Sequence, residues 1–154
     1  SLAGDKPLQL ALFNPVQIVG EDASIKGIRL NLIYGKNDNM TGLDLGLANH
    51  ATGDFGGLQF GIVGIVDGGG FGWQDNFINI VKGDMEGLQS GAYNAAGGGK
   101  GVQWGLINTS EGFKGLQLGF VNMARRYEGL QIGLINVIHD ASGHPFLPIV
   151  NWQF

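Results

Sequence analysis

Apolar and polar positions along the second half of the chain repeat in a fixed order. Gly101-Val-Gln-Trp-Gly-Leu-Ile-Asn108, Gly115-Leu-Gln-Leu-Gly-Phe-Val-Asn122 and Gly129-Leu-Gln-Ile-Gly-Leu-Ile-Asn136 all read G-Φ-Q-x-G-Φ-Φ-N, where Φ is apolar. Toward the N-terminus the same order recurs in Gly87-Leu-Gln-Ser-Gly-Ala-Tyr-Asn94, Gly72-Trp-Gln-Asp-Asn-Phe-Ile-Asn79, Gly57-Leu-Gln-Phe-Gly-Ile-Val-Gly64 and Gly42-Leu-Asp-Leu-Gly-Leu-Ala-Asn49. Gly27-Ile-Arg-Leu-Asn-Leu-Ile-Tyr34 is a weaker copy, Pro7-Leu-Gln-Leu-Ala-Leu-Phe-Asn14 opens the array, and a worn copy closes it at Asn151. The copies end at 14, 34, 49, 64, 79, 94, 108, 122, 136 and 151, so the steps are 20 residues once, then 15 four times, 14 three times and 15 last. A register held over most of the chain marks a single repeat domain, 1–154.

Within each copy the pattern has period two. Leu116, Leu118, Phe120 and Asn122 fall on one face, and Gln117, Gly119 and Val121 on the other. That alternation predicts a strand. Stretches such as Ala95-Ala-Gly-Gly-Gly-Lys100 and Thr109-Ser-Glu-Gly-Phe-Lys114 are turn-rich and link the strands. One apolar residue recurs in these linkers, as Phe55, Phe71, Met85, Phe113 and Tyr127, two residues before the Gly that opens the next copy except at Phe71, which is one before. The unit is too short for a helix-pair repeat. Two all-β architectures fit. In a β-solenoid each repeat is one coil, equal positions stack in parallel, leucines fill the interior, and Gln and Asn form ladders. The ladder residues would be Gln59, Gln74, Gln89, Gln103, Gln117 and Gln131, with Asn49, Asn79, Asn94, Asn108, Asn122 and Asn136. In an antiparallel meander or up-and-down β-barrel each repeat is a strand and a hairpin turn. Near-constant spacing favours the solenoid, because hairpin loops at opposite ends need not match in length.

Composition agrees with a β-repeat fold. Of 154 residues 29 are Gly, 44% are hydrophobic and only 14% charged, which excludes a disordered chain, and 4 Pro exclude collagen. Cysteine is absent, which removes disulfides, thiol chemistry and Cys-based zinc sites. The net charge is −4 and the only basic run is Arg125-Arg126, so nucleic acid is not an expected partner. No apolar run has the roughly 18 residues that a membrane-spanning helix needs. The chain opens on Ser1-Leu2-Ala3-Gly4-Asp5 without Met, the form expected of a mature exported chain or a trimmed one.

Chemistry-bearing motifs are sparse. His139, Asp140 and His144 flank a Gly-Pro turn and have the makings of a metal site, but no HExxH or Cys accompanies them, and these residues and His50 read as solvated loop positions. Asp54-Phe55-Gly56 has the form of the kinase metal-binding triplet without the other kinase motifs. Gly68-Gly-Gly70 and Gly97-Gly-Gly99 lack the Gly-Lys-Ser/Thr of a phosphate loop and sit in linker slots. Asn39-Met-Thr41 and Asn108-Thr-Ser110 fit the glycosylation pattern, but Asn108 belongs to the repeat. Asp54, Asp67, Asp84, Glu86, Glu111 and Glu128 recur in the linkers, where a stacked edge would offer Ca²⁺ weak ligands. Lys82, Lys100, Lys114 and the Arg pair interleave with them and favour a solvated mixed-charge edge. No Ser/His/Asp or Cys/His set is suggested, and no cofactor or metal is expected.

The Q-x-G-x-x-N core, with a small residue two further on in Asn94-Ala-Ala96 and Asn122-Met-Ala124, resembles the repeat core of curli-type amyloid subunits. Curli repeats are longer and place a turn where this chain has the apolar pairs Leu106-Ile107 and Phe120-Val121. The serial G-Φ-Q-Φ-G-Φ-Φ-N copies from Leu8 to Phe154 are more similar to a bacterial surface-repeat family typified by Leptospira proteins. That resemblance implies an exported protein of the cell surface or outer membrane. The ending Val150-Asn-Trp-Gln-Phe154 also resembles the C-terminal signal of outer-membrane barrels. The expected function is therefore non-enzymatic: a structural, surface-assembly protein whose partner is itself, growing into fibres if its strand ends are open. The alternatives are a small outer-membrane β-barrel, as pore or scaffold, and a surface ligand-binding module using Phe55, Phe71, Phe113 and Tyr127.

Overall fold

The structure, a computed structural model, describes residues 5–13, 16–143 and 145–154. The opening segment 1–4, the first repeat Asn14 and the candidate His144 lie outside the described residues. The strands are β1 (Lys6–Phe13), β2 (Val16–Gln17), β3 (Ile25–Asn37), β4 (Met40–Ala51), β5 (Phe55–Val66), β6 (Gly70–Leu118), β7 (Val121–Ile138) and β8 (Phe146–Gln153). There is no helix among the described residues.

Successive repeats pair in parallel and in register. Gly42 lies beside Gly57, Gly57 beside Gly72, Gln59 beside Gln74, and Gln117 beside Gln131. This is a β-solenoid of about eight turns. Parallel pairing excludes the antiparallel meander and the barrel, because hairpin-linked copies would run in opposite directions. At the usual spacing between strands the rod is about 38 Å long. β6 is continuous because the ladder carries it around several coils without a break.

Each coil has three short sides. In the coil that begins at Gly115, the first side turns Gln117 inward and Leu116 and Leu118 outward. The chain then bends at Gly119 and the alternation slips by one residue. Phe120 and Val121 both face out, after which Asn122 and Ala124 face in, and the linker turn carries Arg125 and Arg126 before Tyr127 returns to the interior. The slip recurs at Leu32-Ile33, Leu106-Ile107 and Leu134-Ile135, where neighbouring residues are all exposed.

The expected leucine interior is overturned. Gln must face in to reach the next coil, and with a period of two its leucine neighbours then face out. The apolar part of the interior comes from the linker side, in two clusters built on Ile25, Met40, Phe55 and Met85 and on Phe113, Tyr127 and Ile138. The Phe113 and Tyr127 rings stack at 6.3 Å. Phe71 is exposed, because its one-residue offset puts Gly70 in the inward slot instead.

Glycine at the first repeat position serves the stacking. Gly115 has φ of +133°, a left-handed conformation, and a Cβ there would collide with the Gly101 carbonyl of the coil beneath. Each end of the rod carries an antiparallel strand, of two residues at the N-terminal end and eight at the C-terminal end. β2 pairs with β1 at one end, and β8 with β7 at the other, so the worn last copy runs against the array and sets Asn151 opposite Gln131.

Candidate functional site

Two hydrogen-bonded columns of amides run along the interior. All twelve Gln and Asn residues named above are buried. In the Gln column each Nε2 donates to the Oε1 of the preceding coil: Gln74 to Gln59 at 2.9 Å, Gln89 to Gln74 at 3.0 Å, Gln103 to Gln89 at 2.8 Å, Gln117 to Gln103 at 2.6 Å and Gln131 to Gln117 at 2.7 Å. The Asn column points the other way. Asn79 donates to Asn94, Asn94 to Asn108, Asn108 to Asn122 and Asn122 to Asn136, at 2.7–2.8 Å. Second donor hydrogens are spent on backbone carbonyls, as in Gln103 to Thr109 at 3.1 Å and Asn122 to Ile132 at 2.9 Å. An amide has two donors and one carbonyl, so a one-dimensional stack satisfies it without water.

Both columns are interrupted in the first coils. The Gln slot is taken by Arg29 and then Asp44, fully buried and joined by two hydrogen bonds of 2.7 and 2.6 Å. Asp44 also accepts from Gln59 at 2.7 Å, so the donors of the Gln column end on a carboxylate. In the Asn column the slot is empty at Gly64. There Asn76 of the next coil, which occupies a position usually held by Gly, reaches Gln59 at 3.0 Å and Asn79 at 2.8 Å. A side chain on Gly64 would collide with Asn76 and Gln59, so the two positions have exchanged Gly for Asn.

Outside, the apolar positions form columns along the rod. One holds the residue after each Gln, including Leu30, Leu45, Phe60, Trp104, Leu118 and Ile132; the other the first of each apolar pair, including Leu32, Leu47, Ile62, Phe77, Leu106 and Leu134. Between them the chain bends at small residues such as Gly46, Gly61, Gly105, Gly119 and Gly133, so the two columns are ridges and the bend is the floor of a groove. A C-terminal segment of this groove has a volume of about 950 Å³ and an N-terminal one about 750 Å³. Polar groups enter the ridges in the middle. Trp73 Nε1 donates to Ser90 Oγ at 2.8 Å, and Ser90 Oγ donates to Asp75 Oδ1 at 2.9 Å.

The linker corner carries the charges. Lys82 pairs with Asp67 at 2.8 Å, Lys114 with Glu128 at 3.0 Å, Lys100 with Glu86 at 3.8 Å and Arg125 with Asp140 at 3.6 Å. Asp54 accepts from the Gly69 amide at 2.8 Å. His139 is exposed, whereas His50 is half-buried, contrary to the loop reading: its Nδ1 lies 2.7 Å from the Tyr34 hydroxyl and its Nε2 3.0 Å from Asp67. The hydrogen bond from Lys82 holds the Asp67 carboxyl below its usual range, with His50 adding to it against a smaller opposing effect of burial. Burial pushes the Tyr34 hydroxyl up. Among the described residues no three His, Asp or Glu gather to hold a metal. Of the linker rings offered as a ligand surface, Phe55, Phe113 and Tyr127 are buried and only Phe71 is free to meet a ligand.

The amide columns follow from the repeat spacing, whereas the groove and the Arg29–Asp44 pair were not among the expectations. The signal for the pair was present, since opposite charges fill the Gln slot in consecutive copies. No family model, no curated protein and no solved structure matches the chain.

Proposed function

We propose that this protein is a non-enzymatic structural protein of the cell surface that associates side to side through its apolar flank, with a second copy of itself as the partner. The observation that carries this reading is the pair of exposed apolar ridges, with Leu32, Phe77, Leu106, Phe120 and Leu134 all exposed on one of them. Soluble monomers seldom expose a contiguous apolar patch beyond a few hundred Å². A strip about five residues wide along the rod covers roughly 650 Å², close to the ~800 Å² per partner of an ordinary stable interface. A second copy has the same rise per coil, so its ridge residues match the groove in period along its whole length. Growth at the C-terminal end has less support, because the eight-residue β8 lies across it and Pro148 removes one backbone donor from that strand. The placement at the cell surface rests on the resemblance to surface-repeat proteins.

Sedimentation velocity across the micromolar range tests the reading. The expected result is a dimer or larger lateral assembly that the outward double substitution Phe120→Glu, Leu134→Glu returns to monomer without loss of the β-sheet circular-dichroism signal. A chain that stays monomeric throughout would contradict it. The apolar flank lies away from the charged linker corner, which also favours seating on a membrane surface. Co-flotation of the monomer with lipid vesicles, in place of self-association, would select that second reading.

A further inference from the structure

The groove is not uniform, and one irregularity in it has the form of a binding site. At Ser90, Gly91 and Ala92 both ridges lose their large side chains for one coil. Asp75 and Phe77 bound the gap on one side, Trp104 and Leu106 on the other, and Trp73 stands beside Asp75 on the same strand. With one small-residue coil between them, Asp75 and Trp104 are two coil spacings apart, about 10 Å between backbones. That leaves room for one small head group.

The carboxylate in this gap is oriented. Ser90 Oγ holds its Oδ1 at 2.9 Å and is itself held by the Trp73 indole at 2.8 Å. Every salt bridge among the described residues involves another acid, so Asp75 has an oriented charge and no cation. An anion set into an apolar surface is costly unless a partner of opposite charge arrives. Trp73, Phe77 and Trp104 supply ring surfaces around it, and Phe77 and Trp104 are each more than half exposed. Aromatic faces with a carboxylate between them are the chemistry that recognises an organic ammonium ion.

We propose that this notch binds an ammonium group carried on an apolar chain, with the head between Asp75 and Trp104 and the chain lying along the groove toward Phe120 and Leu134. The site needs only one chain and lies in the groove that rod pairing would also use, so ligand and second copy compete for it, and its key group lies in a gap of the ridges rather than on their crests. The charge selects the head, the glycine floor admits the chain, and the neighbouring ridges exclude water from both. An amphiphile or a lipid head group of this kind would offer the same chemistry.

Tryptophan fluorescence of the full chain, in a Trp152→Phe background so that only Trp73 and Trp104 report, measures the binding. The probe is dodecyltrimethylammonium held below its micellar concentration, with dodecyl sulfate and the neutral dodecyl maltoside as equal-length controls. The expected result is saturable quenching by the cation, weakened about tenfold by Asp75→Asn and abolished by Ala92→Leu, which fills the notch. Asp75→Asn keeps the shape and both Ser90 contacts feasible, so a folding failure is not in play. Vesicles with and without choline head groups, added in place of the detergent, separate a lipid from a free amphiphile as the source. Equal binding of all three chains, or an Asp75→Asn variant that binds the cation as well as the parent, would overturn the proposal. An oligomeric state changed by the Phe120 and Leu134 substitutions but not by Asp75→Asn keeps a failure here distinct from a failure of the lateral-association reading.

Discussion

At the scale of single residues, the protein is held by amides that have no alternative partner. Asn122 is fully buried, accepts from Asn108 at 2.8 Å and donates to Asn136 at 2.8 Å and to the Ile132 carbonyl at 2.9 Å. Asn122→Ala strands two neighbours in a dry interior, and urea unfolding should register a loss of roughly 1–3 kcal/mol. A loss near zero would place this column in contact with solvent. Tyr127 gives a pH signature. Burial pushes its hydroxyl above the ordinary tyrosine value, and its single proton is shared between the carbonyls of Gly115 and Leu130, at 2.8 and 2.9 Å from the oxygen. The unfolded chain therefore gives up this proton first. The stability tied to Tyr127 is complete below the unfolded value of about 10 and declines as pH rises past it toward the folded value. Thermal melts should show the parent falling above that pH, and Tyr127→Phe, already weaker at neutral pH, falling less.

At the scale of the coil, the exchange of one polar device for another decides what is tolerated. Arg29 and Asp44 stand where later coils carry Gln, and neither is accessible to solvent. Removing one member leaves the other charged and dry, so Asp44→Asn should cost about 3–5 kcal/mol in chemical denaturation. The double substitution Arg29→Gln, Asp44→Gln extends the Gln column instead and should recover most of that loss. A double variant as weak as the single one would show that the charges do something a continued ladder cannot. The strands, their linkers and the parallel stack were legible in the sequence because the spacing of Gln and Asn is set directly by the length of one coil. Which way the leucines face was not, because strict alternation through Leu116–Asn122 hides the slip at Gly119, which has no signature beyond one glycine. The filling of Gly64 by Asn76 was hidden for another reason: the two positions are in different copies and belong to different columns, so neither departure explains itself alone.

At the scale of the whole molecule, the solenoid keeps its apolar core on the linker side, lines the rest of its interior with amides and is apolar along the outer flank over those amides, and this inversion underlies both the side-to-side association and the ammonium notch. The inversion rests on the slip in each coil: Gln117 inward, Phe120 and Val121 both outward, Asn122 inward. The chain has no cysteine, so single cysteines placed in turn from Leu116 to Ala124 and reacted with a maleimide under native conditions read the facing of each position directly. On rods diluted below the concentration at which they pair, labelling is expected at 118, 120, 121 and 123 and protection at 117, 122 and 124. Strict alternation through the segment, with 122 labelled alongside 118 and 120 while 121 is protected, would contradict it.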